Sequence, residues 1–209
     1  MTNSPPVVFL VDDDPSVLKA LGRLLTIKGF EARPFSTPGA FLREHDPTVP
    51  GCILLDVAMP ERTGLELQKL LTSAQPIQPV IFISGNSDIP TSVSAMKEGA
   101  FDFLTKPVAG KTLLAAIRKA IAKDAETRRR RSAQDRMKAL VSALTKRERD
   151  VFDLVVTGKL NKQIAGTLGI AEKTVKVHRA RMMSKMGVRT LAELVQVAER
   201  IGAIAHDGP

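Results

Sequence analysis

The stretch Ile53 to Pro60, ILLDVAMP, limits the fold more than any other part of this chain. An unbroken run of large aliphatic residues suits a strand buried on both faces, as in a parallel sheet covered by helices. The run ends in a carboxylate, Asp56, and open α/β sheets bind their ligands at the carboxyl ends of strands. A single strand-end Asp is more often a helix or turn cap, so its meaning depends on what else reaches the same edge.

Similar runs alternate with helical patterns on either side. Strands are expected at Val7 to Val11, Glu31 to Phe35, Cys52 to Leu55, Val80 to Ile83 and Phe101 to Leu104. Helices are expected over Pro15 to Lys28, Pro38 to Glu44, Gly64 to Leu71 and Pro90 to Lys97, with another starting near Gly110. Asp14 can cap the helix that Pro15 opens, Gly29 can end it, and Pro90 suits a first turn. This order predicts a doubly wound, five-stranded parallel sheet.

The ends of those strands carry the chemistry. Asp12, Asp13 and Asp14 follow the first, Asp56 ends the third, Ser84 the fourth, and Lys106-Pro107 the fifth. Carboxylates gathered at one edge repel one another unless a cation joins them, and a hard divalent ion such as Mg²⁺ prefers such oxygen ligands. One carboxylate then remains to attack phosphorus. Asp56 is the expected nucleophile, with Lys106 and Ser84 bonding the phosphoryl oxygens. The plainer alternative makes Lys106 a structural salt bridge and Ser84 a strand-end cap.

Charge separates the chain into two parts. Residues 1–125 carry 13 Lys plus Arg against 13 Asp plus Glu, while residues 126–209 carry 18 against 9, so the whole excess of +9 lies in the second part. That asymmetry suits a neutral module joined to one that meets a polyanion. No stretch is long and apolar enough to span a membrane, and the opening MTNSPP lacks the layout of a signal peptide. The lone Cys52 sits in an apolar run, as expected of a buried thiol in a reducing cytoplasm.

Between Lys111 and Leu144 there is no Gly or Pro, and good helix formers dominate, so a helical linker is expected over residues 124–143. Leu113, Ile117 and Ile121 share a stripe that Asp124, Arg128 and Arg131 interrupt, which argues against an uninterrupted coiled coil. The run Arg128 to Arg131 reads as a solvated face or as a set of phosphate contacts.

After Thr145 the pattern becomes four short helices. Thr145 and Glu148 make a capping box ahead of a helix with Val151, Leu154 and Val155 inward. A helix from Asn161, a turn at Gly169, a third helix and a fourth over Leu191 to Arg200 complete a helix-turn-helix arrangement that fits a major groove. With Val175, His178 or Arg179, Met182 and Met186 spaced for burial, Lys173, Lys176, Val177 and Ala180 are the expected base readers. Thr174, Arg179, Arg181 and Lys185 are the expected phosphate contacts, and His178 reads more readily as a packing residue than as a contact.

The segments VDDDPSVLKAL, LLDVAMPERTG, IFISG and FDFLTKP closely resemble the receiver domain of two-component response regulators over about the first 120 residues. LTKRERDV, NKQIA and KTVKVHR resemble the LuxR-type DNA-binding domain over Leu144 to Ala198, and the pair resembles the FixJ/NarL group. The resemblance implies a flavodoxin-like receiver over 1–123 and an all-α DNA-binding domain over 144–209. It also implies that Asp56 takes phosphate from a histidine kinase and that Asp12, Asp13, Asp56 and the backbone carbonyl of Ala58 hold Mg²⁺. It implies a cis Lys106-Pro107 bond and a switch pair, Ser84 and Phe103. Ala58 departs from the family, where that position is often polar. The implied protein is not an enzyme but a cytoplasmic transcription factor whose partners are a kinase, double-stranded DNA, RNA polymerase and a second copy of itself. The expected dimer face includes Ala95, Lys97, Asp102 and Lys119. A phosphatase with an aspartyl nucleophile and a phosphate-independent DNA-binding protein are the alternatives.

Overall fold

A computed structural model describes residues 5–74, 78–85 and 89–203. Residues 1–4, where the reading of the N-terminus begins, and residues 204–209 of the expected second domain lie outside the described set. The chain divides into two compact units, Met1–Arg128 and Arg129–Pro209.

In the first unit the elements are β1 (Val7–Val11), α1 (Pro15–Ile27), β2 (Glu31–Phe35), α2 (Pro38–Glu44), β3 (Gly51–Asp56), α3 (Gly64–Ala74), β4 (Val80–Ser84), α4 (Ile89–Lys97), β5 (Asp102–Thr105) and the start of α5 (Gly110–Ser142). The strands lie in the order β2-β1-β3-β4-β5, all parallel. This is the doubly wound, flavodoxin-like sheet expected from the sequence. Every residue of β1, β3 and β4 is buried, as unbroken apolar runs require.

Alternate residues of those strands feed two cores. Phe9, Val11, Ile53, Leu55 and Phe82 face Phe41, Leu67 and Ala95 of the helices on one side. Val8, Leu10, Cys52, Leu54 and Ile83 face Leu18, Leu25, Leu113 and Ile117 on the other. Each such side chain contributes about 1.5–3 kcal/mol when fully buried. Cys52 is inert here, its thiol pushed up to about 12 by burial and by the charge of Asp124.

Local punctuation follows the expected chemistry. Asp14 caps α1 by accepting from the Ser16 N–H, and Gly29 takes φ +83° just beyond its end. At Gly51 a Cβ would run into the Val7 carbonyl, so only glycine lets β3 start this close to β1.

Helix α5 is unbroken from Gly110 to Ser142. Two sequence expectations change along it. Asp124 and Arg128, taken as interruptions of a buried stripe, continue that stripe in polar form: Asp124 is buried and accepts from the Gly51 N–H and from Arg128. Arg128 is accordingly half-buried and committed to this pair, whereas Arg129, Arg130 and Arg131 are exposed.

The second unit contains the end of α5 with α6 (Lys146–Val156), α7 (Asn161–Leu168), α8 (Glu172–Met186) and α9 (Leu191–Arg200). Both halves of the Thr145–Glu148 capping box are present. Its core holds Val151, Phe152, Val155, Val156, Ile164, Val175, Met182, Met186 and Leu194. Leu154, expected inward, is only partly buried, and Phe152, which the sequence pattern passed over, is fully buried. The two-residue offset between them turns α6 so that its widest side chain is buried. Gly169 and Gly187 end α7 and α8 at φ +66° and +67°, a conformation that favours glycine.

Candidate functional site

The carboxyl edge of the sheet brings Asp12, Asp56 and Lys106 together. The Asp56 carboxylate ends β3 only 6% exposed, and that of Asp12 lies just beyond β1 at 7%. The Lys106 ammonium donates to Oδ2 of Asp12 at 2.8 Å and to Oδ1 of Asp56 at 2.7 Å. The other oxygen of each carboxylate accepts from main chain, Oδ2 of Asp56 from the Ala58 N–H at 2.7 Å and Oδ1 of Asp12 from the Asp14 N–H at 2.9 Å. Behind Asp56 the chain turns tightly. The Gly64 N–H donates to the Val57 carbonyl at 2.9 Å, and a Cβ at Gly64 would collide with the Asp56 carbonyl.

Electrostatics here are set by two acids sharing one cation. Burial raises the pKa of Asp56, the Lys106 hydrogen bond and charge pull it back, and the charge of Asp12 adds to the rise. Burial also works against the Lys106 ammonium, but its bonds to Asp12 and Asp56 outweigh that and hold its pKa above the ordinary value. The salt bridge expected as the plainer reading of Lys106 is therefore formed, and with both acids.

Ser84 is buried at the end of β4, where its carbonyl accepts from the Lys106 N–H at 2.7 Å, and the Lys106-Pro107 bond is cis. Phe103 is half-buried, its ring 6.1 Å from that of Phe82. Asp13 is exposed, and the Lys106 ammonium bonds Asp12 and Asp56 rather than Asp13. Among the described residues no three His, Cys, Asp or Glu side chains are gathered as a closed metal site. Two buried carboxylates around one cation position do fit Mg²⁺, which takes one or two carboxylates and completes its shell with water and phosphate oxygens.

On the expected dimer face, Lys97 and Lys119 are exposed and Asp102 is half-buried. Ala95 is fully buried in the core and cannot belong to that surface. Its neighbours on α4, Val93 and Met96, are the exposed apolar residues, at 44% and 48%. The helix turns its small residue inward, into the core.

In the second unit α8 buries Val175, Met182 and Met186 and leaves Lys173, Thr174, Lys176, Val177, Ala180, Arg181 and Lys185 exposed. His178 and Arg179 are half-buried, and Arg179 donates to Oδ1 of Asn161 at 3.1 Å, tying α8 to α7. Lys176 pairs with Glu172 at 3.3 Å, an exposed pair worth little. Lys185 is differently placed from its expected role: its ammonium donates to the buried Glu148 at 2.7 Å. That bond, with those from Thr145, holds the Glu148 carboxyl at about 2 despite its burial. Capping-box spacing identified Glu148 in the sequence, but nothing in the one-dimensional pattern paired it with a lysine on α8.

Comparison with known proteins agrees with both halves. Residues 8–118 match the response regulator receiver domain, and residues 142–198 match the bacterial regulatory proteins of the luxR family. The response regulator protein TmoT of Ectopseudomonas mendocina is 43% identical over 201 residues, which cover 96% of this chain and 91% of that protein. The transcriptional regulatory protein FixJ of Azorhizobium caulinodans is 39% identical, covering 99% of this chain and 98% of its own length. Among solved structures, the response regulator StyR matches with a TM-score of 0.83 at 47% identity, covering 94% of this chain and 99% of that one.

Proposed function

Since the chain belongs to the response regulators, joining a receiver domain to a LuxR-type DNA-binding domain and acting in transcription regulation, we propose that Asp56 is the residue through which it is switched. The observation that supports this most is the buried Asp12–Lys106–Asp56 group at the sheet edge. A carboxylate held by an ammonium is kept ionised as a nucleophile despite its burial.

In this reading a histidine kinase presents a phosphorylated imidazole. An Asp56 oxygen forms a bond to phosphorus as the nitrogen–phosphorus bond breaks, and the bond's electron pair stays on the departing imidazole. Lys106 moves its hydrogen bond from the carboxylate to a phosphoryl oxygen, and Ser84 donates to another. Asp12, Asp56 and the Ala58 carbonyl, with Asp13 through water, would hold Mg²⁺, which would supply positive charge against the charge that builds on the transferring group. The chain assists only its own phosphorylation and dephosphorylation.

Movement of Ser84 toward the phosphoryl group lets the half-buried Phe103 ring turn inward beside Phe82. That motion reshapes the face of α4, β5 and α5, where exposed Val93 and Met96 favour pairing with a second copy. A dimer sets two α8 helices on half-sites about one DNA turn apart, with Lys173, Lys176, Val177 and Ala180 at the bases and Thr174, Arg179 and Arg181 at phosphates. Transcription then depends on contact with RNA polymerase. Among the described residues no helix is long and apolar enough to cross a membrane, and cytoplasmic action is part of the proposal.

The test is direct. Acetyl phosphate with Mg²⁺ should add one phosphoryl group and raise affinity for a paired DNA site, and Asp56→Asn should lose both effects. Unchanged labelling of Asp56→Asn would exclude Asp56.

A further inference from the structure

Asp124 and Arg128 lie far from the carboxyl edge of the sheet and take no part in the chemistry above, yet they are among the most completely bonded side chains in the first unit. One oxygen, Oδ2 of Asp124, accepts from the Gly51 N–H at 2.9 Å and from Nε of Arg128 at 2.7 Å. The rest of the Arg128 guanidinium donates to three successive carbonyls, Pro47 at 2.9 Å, Thr48 at 2.7 Å and Val49 at 2.9 Å. From the opposite side the buried Gln78 amide donates to the Val49 carbonyl at 2.7 Å and to that of Asp46 at 3.1 Å. Three consecutive carbonyls thus form a socket with Arg128 as its resident cation, and Gln78 holds the Val49 and Asp46 carbonyls.

We propose that this socket is a latch that couples the acceptor site to the linker helix, with Asp124 and Arg128 as positioning residues for the switch. The proposal rests on the function assigned to Asp56 above. Two attachments hold α5. At its start, the segment Lys106–Ala109 ties it to Asp12 and Asp56 through the Lys106 ammonium. About 21 Å farther along the helix, from Gly110 to Asp124, the latch ties it to the opposite end of the sheet.

Strand β3 joins the same two points. Its first residue, Gly51, bonds the latch, and its last, Asp56, bonds Lys106. The strand is buried throughout and packs against β1 so closely that Gly51 admits no side chain. It is a stiff strut between the two attachments. When Lys106 shifts from carboxylate to phosphoryl oxygen, an α5 fixed at Arg128 must move as one body, and the shift reaches the helix beyond the receiver. An α5 free at Arg128 can instead absorb the shift by local fraying of its fourth and fifth turns.

Asp124 is buried and Arg128 half-buried, and an apolar pair could have covered the same surface, since replacing an ion pair taken out of water by hydrophobic residues is often neutral or stabilising. What the charged pair adds is register. A guanidinium fork that must meet three carbonyls at once fixes both the height and the rotation of the helix, whereas leucines tolerate sliding.

The test uses the full chain with Arg128→Ala, Arg128→Lys and Asp124→Asn. Each variant is incubated with acetyl phosphate and Mg²⁺, and phosphoryl content, affinity for a paired DNA site and hydrogen exchange at Gly51 and along residues 117–128 are measured. Phosphorylation should stay within about twofold of the parent. The phosphorylation-dependent gain in DNA affinity, on the order of 5- to 150-fold for an allosteric coupling, should fall to about onefold while exchange at Gly51 and α5 speeds up. Non-denaturing guanidinium salt should restore the gain to Arg128→Ala but not to Arg128→Ala combined with Asp124→Asn. A full affinity gain in phosphorylated Arg128→Lys and Arg128→Ala would overturn the latch and leave the pair as a stabilising contact only. Loss of phosphorylation in Arg128→Lys, which keeps the charge, would overturn it equally, because the pair would then serve the acceptor site itself. If the parent chain takes no phosphate, it is the assignment of Asp56 that fails.

Discussion

Replacing Lys106 by methionine removes the one ammonium between two buried carboxylates while keeping most of the side chain's volume. Hydrogen bonds to charged groups contribute about 1.5–3 kcal/mol each, and breaking a buried pair by removing one partner costs about 3–5 kcal/mol. The Lys106 side chain is 30% exposed, so water recovers part of the loss. A net destabilisation of about 2–3 kcal/mol is expected at neutral pH, which for a unit of this size lowers the melting temperature by roughly 7–11 °C. The pH dependence has a definite sign. Lys106 has its pKa raised above 10.5 in the folded state, so its contribution is complete below 10.5 and disappears only as pH climbs through that raised value. Asp56 has its pKa raised above 3.8, so acidification through its folded pKa toward 3.8 favours the folded state. Without Lys106 the Asp56 pKa should rise further, and the gap between parent and Lys106→Met should therefore narrow as pH falls from 7 toward 5. Mg²⁺ at ten times its dissociation constant should stabilise either form by about 1.4 kcal/mol, so at a fixed concentration it narrows the gap to the extent that the variant, which lacks the competing ammonium, binds it more tightly. Thermal unfolding of the first unit, followed by calorimetry at several pH values with and without Mg²⁺, checks all three statements. Equal melting temperatures for parent and variant at pH 7, or a gap that widens on acidification, would refute the two-acids-one-cation account.

His45 is held below its ordinary value of 6.5, chiefly by burial, with its ring 4.5 Å from that of Phe41 and hydrogen-bonded to Gln78. Stability of the first unit should therefore be full above pH 6.5 and decline as pH falls toward the depressed pKa; urea titrations at pH 8 and 5.5 should show this decline in the parent and a weaker one in His45→Phe. Arg181→Ala should lower the salt slope of DNA binding by about 1, as expected of a phosphate contact. Lys185→Ala should change that slope by less while destabilising the second unit, because it strands the buried Glu148; a full unit of slope lost with unchanged stability would return Lys185 to the DNA. Truncating Phe152 to Ala should cost about 3–5 kcal/mol in the second unit and leave Asp56 phosphorylation intact, measured by mass and by the unfolding transition of each unit.

The sheet was legible because its evidence is local. Unbroken aliphatic runs at β1, β3 and β4, capping residues such as Asp14 and Thr145, and glycines at Gly29 and Gly169 each specify backbone without reference to distant partners. A parallel sheet then gathers its strand ends by topology alone, which is enough to bring Asp12, Asp56, Ser84 and Lys106 to one edge. Arg128 was misread because a run of four arginines carries no mark of which one turns inward. Its partners are carbonyls at residues 47–49, and a carbonyl has no side-chain identity to read.

Ala95 was misplaced, and the bond from Lys185 to Glu148 missed, for a related reason. Periodicity identifies a helix better than it fixes its rotation, and a few tens of degrees decide whether Ala95 or Met96 meets solvent, and whether Lys185 comes within reach of Glu148. Residue type and short-range spacing were enough for the order of the elements, the sheet, the gathering of Asp12, Asp56 and Lys106 at one edge, and the split between a neutral and a basic unit. Only the tertiary structure decided which charges are already committed inside the protein. That depends on distances between groups such as Asp124 and Gly51, far apart along the chain, and a hydrogen bond is short and directional enough that spacing along a chain does not specify it.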